Sequence, residues 1–157
     1  MKIQLRETLP ASADEVWNAI RSPRLFAEVS SPLLGMYSCE PSGAPERWLG
    51  DGPHRIEVRL FKLVKLGTQT IDISFETRGD NTRIMTDAGI PQSGALTAIK
   101  TWRHRMAVTP LPSGDTLYRD RLDFTAGILT PIIWLSLWCF WQWRGYKLKS
   151  LLRAGRS

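Results

Sequence analysis

Thiols and imidazoles are scarce in this chain: two cysteines and two histidines in 157 residues. Cys39 and Cys139 form no CxxC pair and no zinc-type spacing, so they read as free, partly buried thiols of a reducing compartment. His54 lies in a loop beside Asp51, far in sequence from His104, and no carboxylate cluster joins either, so no metal site is expected. Gly50, Gly52 and Gly94 form no phosphate cradle, no nucleophile-elbow pattern occurs, and no cofactor is expected. The opening residues, Met-Lys-Ile-Gln-Leu-Arg-Glu, lack the apolar core of a signal peptide, which makes the cytoplasm the expected location. Internal repeats and low-complexity tracts are missing too.

What is present is ordinary globular material. Apolar residues make up 43% and charged residues 23%, enough to bury a core as one domain over residues 1–157. The net charge is +6. Arg and Lys are spread over most of the expected strands, and only Arg144, Lys147, Lys149, Arg153 and Arg156 form a locally basic tail. With no reader motif, nucleic acid is not an expected partner.

Residues 2–9 alternate, with Ile3 and Leu5 on one side, and predict a first strand. Ser12-Ala-Asp-Glu15 has the capping-box pattern and opens a helix carrying Val16, Trp17 and Ile20. A second short helix is expected from Pro23 to Val29. Residues 30–53 are rich in Ser, Pro and Gly and read as loop, with short strands around Met36–Cys39 and Glu46–Leu49. Alternation then predicts strands over His54–Leu60, Ile71–Phe75 and Thr82–Asp87, with a turn at Leu66–Thr68 and another at Gly79–Asn81.

Thr101–Thr109 and Thr116–Phe124 flank a Pro/Gly-rich turn and predict a hairpin. Trp102, His104, Met106 and Val108 share one face, and Tyr118, Asp120, Leu122 and Phe124 share another. His104 and Asp120 are therefore polar groups on apolar faces. A register centred on the turn pairs Met106 with Tyr118, Trp102 with Leu122, and His104 with Asp120, whose Cβ atoms would then lie about 4.5–5.5 Å apart. A buried carboxylate needs such a partner.

The last segment predicts one long helix from Ile128 to about Arg153, with Pro131 tolerated in its first turn. Trp134, Trp138, Trp141, Gly145, Leu148 and Leu152 fall on one stripe. Ala126–Trp143 is free of charge over about 18 residues, the lower bound for a membrane span. Three tryptophans in mid-bilayer argue against crossing, because Trp prefers the interface.

This order of elements resembles the START-type, birch-pollen-allergen-like superfamily, also called SRPBCC, which includes polyketide cyclase/dehydrase-like proteins. Three stretches carry the resemblance: LRETLPASADEVWNAIRSPRLFAEV (5–29), WRHRMAV with LYRDRLDF (102–108 and 117–124), and AGILTPIIWLSLWCFWQWRGYKLKSLL (126–152). The resemblance implies an α+β helix-grip fold: a curved antiparallel sheet of about six or seven strands around the C-terminal helix, with two short helices after the first strand. It also implies a ligand cavity between sheet and helix, and a bent sheet around one helix suggests the same on physical grounds. The expected lining is His104, Asp120, Tyr118, Trp102, Met106 and Phe75 from the sheet, and Trp134, Trp138 and Trp141 from the helix.

The expected function is binding of a hydrophobic or amphipathic small molecule: a lipid, quinone or polyketide. Two alternatives accompany it. One is a cyclase/dehydratase-like enzyme using His104 with Asp120 or Tyr118. The other is an interaction module whose basic tail and aromatics touch a membrane surface or a protein. The His104–Asp120 pair also has a purely structural meaning, as a satisfied polar pair holding the sheet together. The expected oligomeric state is monomer or homodimer.

Overall fold

In the computed structural model, which describes residues 1–155, the chain runs β1 (Lys2–Leu9), α1 (Ala13–Ile20), α2 (Pro23–Ser30), β2 (Leu34–Ser38), β3 (His54–Leu60), β4 (Val64–Ile71), β5 (Ile73–Thr77), β6 (Arg83–Asp87), β7 (Thr101–Pro110), β8 (Thr116–Thr125) and α3 (Thr130–Ala154). The Ser12 capping box is complete: Ser12 Oγ accepts from the Glu15 amide and Glu15 accepts from the Ser12 amide. Ser22 Oγ caps α2 by accepting the Leu25 amide, without a reciprocal bond, and Pro23 stands in its first turn.

The strands form two antiparallel sheets, β1-β8-β7-β6-β5 and β2-β3-β4. Only Asp72 separates β4 from β5, so one bent run of chain belongs to both sheets. The bend is held by Asp87 at the end of β6. Its Oδ1 accepts the Asp72 and Gly89 amides, each at 2.9 Å, while the Ala88 amide donates to the Asp72 carbonyl at 2.9 Å. A Cβ at residue 89 would collide with the Thr70 carbonyl, so glycine alone fits there.

Several expectations change. The described strands number eight, because the bend divides one of them. The turn before β4 is at Phe61–Leu63 and contains no glycine; Phe61 and Lys62 take positive φ instead, and Leu66–Thr68 lies within β4. Glu46–Leu49 is not a strand, although Trp48 is buried and its amide donates to the Arg21 carbonyl. Cys39 and Cys139 are both free and both exposed, not partly buried. Arg144 is not part of a basic tail, since it is buried, and Arg156 lies outside the described residues.

α3 begins after a 3-10 turn at Gly127–Leu129 and docks against β1 and α2. Gly145 lets it approach β1 closely, because a Cβ there would overlap the end of Leu5. Lys149 pairs with Glu7 of β1 at 2.8 Å, and Trp134 Nε1 donates to the Lys2 carbonyl at 3.0 Å. Among the described residues, no helix is long and apolar enough to cross a membrane.

Candidate functional site

Between the sheets and α3 lies a cavity of about 510 Å³. Its sheet wall includes Trp102 and His104 of β7 and Val58 of β3; Phe26 of α2 and Leu96 of the 3-10 turn at Gly94–Ala98 add to it. Its helix wall is Ile133, Leu137, Phe140, Trp141 and Arg144. Asp87 and Gln69 supply further polar atoms.

Helical geometry explains which side of α3 faces this space. At about 100° per residue, Ile133, Leu137, Phe140 and Arg144 lie on one flank of Trp141, and Trp134, Trp138 and Gly145 on the other. The second flank faces β1. Trp134 and Trp138 therefore stack on each other outside the cavity, centroids 6.4 Å apart and planes inclined by 22°. Phe75 lies outside as well, half-exposed on β5 against Trp17 of α1. Met106 and Tyr118 are buried in the core beyond the cavity wall.

The hairpin register is shifted by two residues from the expected one, because the turn centres on residue 113. Met106 pairs with Asp120, and His104 with Leu122. His104 and Asp120 still meet, as diagonal neighbours on one face: Nε2 is 2.7 Å from Oδ1. They are 2% and 3% exposed. Two further donors converge on the carboxylate. Trp141 Nε1 donates to Oδ1 at 2.9 Å and Tyr118 Oη donates to Oδ2 at 2.9 Å.

Burial alone would raise the Asp120 carboxyl. The charge and hydrogen bond of His104, the charge of Arg144 and the Trp141 hydrogen bond outweigh it and hold the pKa at about 2. An ionised carboxylate only accepts, so Nε2 carries the proton it shares with Asp120. Burial, with the Asp120 charge beside it, pushes the Tyr118 hydroxyl well above its usual range and keeps it a donor. The His104 ring also meets the Trp141 indole edge to face, 5.1 Å between centroids.

Two charged side chains of the cavity wall escaped the sequence reading. Arg144 is 7% exposed, with its guanidinium 4.9 Å from Trp141, 5.0 Å from Phe26 and 5.7 Å from Phe140. The helical spacing from Phe140 and Trp141 was the available signal. Asp87 lies on the cavity wall, where its Oδ2 accepts Trp102 Nε1 at 3.3 Å. Burial pushes its carboxyl up, against the Gly89 and Asp72 amides that pull it down. Asp87 lies two residues after Met85, on the same face of β6 by strand alternation, and that was its signal.

Elsewhere, His54 and Asp51 form an exposed pair at 3.0 Å. Among the described residues, no group of three His, Cys, Asp or Glu side chains is arranged to hold a metal ion.

Solved structures share this architecture at low identity. A START superfamily protein from Mycobacterium smegmatis matches with a TM-score of 0.61 and 13% identity, over 98% of this chain and 97% of that one. An aromatase/cyclase from a Streptomyces species matches with a TM-score of 0.64 and 13% identity, over 98% and 93%. Norcoclaurine synthase from Thalictrum flavum, solved with dopamine and hydroxybenzaldehyde, matches with a TM-score of 0.64 and 11% identity, over 100% and 88%. No protein-family model and no curated protein matches the sequence. The chain has the α+β helix-grip fold, which it shares with these solved structures.

Proposed function

We propose that this protein binds a hydrophobic or amphipathic small molecule, such as a lipid, quinone or polyketide-like compound, between its sheet and α3. One observation carries the reading: an interior of about 510 Å³ whose wall is mainly Leu, Ile, Val and aromatic side chains, interrupted by His104, Asp87 and Arg144. Ligand sites commonly have this volume and this mixture of apolar wall and few polar groups. The small aromatic molecules held by norcoclaurine synthase on the same fold support it. Native mass spectrometry of the purified protein tests it. The expected result is a co-purified mass, released under denaturing conditions and extractable into organic solvent. An empty protein that also fails to take up apolar probes would sink the proposal.

A second reading rests on the His104–Asp120 pair at the cavity. An imidazole held by a buried carboxylate beside a substrate space suits general acid/base chemistry of the cyclisation or dehydration type. It predicts pH-dependent turnover of a polyketide mimic, lost in His104→Gln. A third rests on exposed apolar side chains next to cations, Phe61 and Leu63 around Lys62 and Lys65. It predicts co-sedimentation with anionic vesicles that weakens as salt is raised.

A further inference from the structure

Among the described residues, no acceptor lies within hydrogen-bond reach of the Arg144 guanidinium. That group offers five N–H donors. Among the described residues it makes no hydrogen bond, and Nε is fully buried with no partner. The nearest carboxylate oxygen, Asp120 Oδ2, is 3.9 Å from Arg144 Nη2, beyond hydrogen-bond reach. That carboxylate is already occupied by His104, Trp141 and Tyr118. The rings of Trp141, Phe26 and Phe140 attract the charge but accept no strong hydrogen bond. Burying Nε with its donor unmet is costly, and buried polar groups in folded proteins are nearly always paired. Arg144 also forms part of the cavity wall.

Resting on the ligand-binding reading above, we infer that Arg144 is the head-group site of the cavity and that the ligand it receives is an amphipathic carboxylate. A carboxylate matches the planar fork of arginine with two parallel hydrogen bonds. It would supply the acceptors that the fold withholds. A monoanion also suits the local charge, because the Asp120 and Asp87 carboxyl groups already face this region and a dianionic phosphate would add repulsion. The apolar part of the ligand then lies along Phe140, Leu137 and Ile133, successive residues of the same flank of α3.

The test compares dodecanoate with dodecanol, equal in chain length and different in head group, by calorimetric titration. The intact protein is expected to bind dodecanoate at least about tenfold more tightly. Arg144→Met should erase that preference and leave dodecanol affinity unchanged or improved, while Arg144→Lys should keep part of it. Equal affinities in the intact protein, or a preference that survives Arg144→Met, would overturn the assignment. The head-group comparison on the unaltered chain remains decisive even if a variant fails to fold. Binding of dodecanol without any preference overturns the Arg144 site alone; binding of neither compound overturns the cavity reading with it.

Discussion

Trp141 Nε1 donates to Asp120 Oδ1 at 2.9 Å, tying the middle of α3 to the sheet strand beneath it. Both residues are almost fully buried, so no water replaces the bond if it is deleted. Trp141→Phe keeps most of the ring and removes the donor. A hydrogen bond to a charged group contributes about 2 kcal/mol, or roughly 4–8 °C in Tm for a chain of this size. Calorimetry should show that loss with a native circular dichroism spectrum. A Tm unchanged within error would mean that packing alone docks the helix.

Asp120 also sets an acid limit on the fold. Its folded pKa of about 2 lies below the ordinary 3.8, a depressed carboxyl. The stability it contributes is therefore complete above about pH 4 and is lost as pH falls towards 2, amounting to about 2 kcal/mol. Asp87 acts in the opposite sense: its raised carboxyl favours the fold at low pH, and that contribution is lost as pH rises through its folded pKa. Urea unfolding between pH 2 and pH 7 should give a falling acid limb for the natural chain. Asp120→Asn should be less stable at neutral pH and flatter between pH 4 and 2. Parallel profiles for the two proteins would remove Asp120 as the source.

The order of elements, the Ser12 cap of α1 and the inner faces of β7 and β8 were legible because each depends on local signals: a Ser with a Glu three residues on, or a strict alternation. His104 and Asp120 were legible as polar residues on apolar faces, even though their register was not. Register depends on where the Pro110–Thr116 pair closes the turn, and a Pro/Gly-rich loop does not declare that. The helix stripe was half legible. Periodicity placed Trp134, Trp138 and Trp141 together, but only the position of β1 decides which flank meets the cavity. Arg144 was read as surface charge because composition assigns cations to solvent, and only tertiary packing shows three rings around it.

Gly145 is where α3 passes the Leu5 side chain of β1, and alanine there should be unfavourable despite its better helix propensity. Propensity favours Ala over Gly by about 1 kcal/mol. The added methyl meets the end of Leu5, and overpacking of this kind costs typically 1–3 kcal/mol. Gly145→Ala is expected to lower stability in denaturant unfolding, and Leu5→Ala in the same chain should recover part of the loss through direct coupling. Additive effects of the two substitutions would show that the neighbours do not constrain each other.

Two helix residues, one position apart, separate the cavity from the outer surface. Leu137 lies on the cavity wall, while Trp138 is stacked on Trp134 outside it. Leu137→Trp adds ring volume into the hollow with little change elsewhere, because the position is only partly buried. It should reduce binding of the fluorescent probe ANS at least about tenfold while leaving Tm within a few degrees. Trp138→Ala removes a larger side chain from the opposite flank and should leave probe affinity unchanged. Helical direction makes the contrast sharp: the two side chains diverge by about 100°. If Trp138→Ala weakens the probe as much as Leu137→Trp does, the probe sits on the outer face of α3 and the interior is not its site.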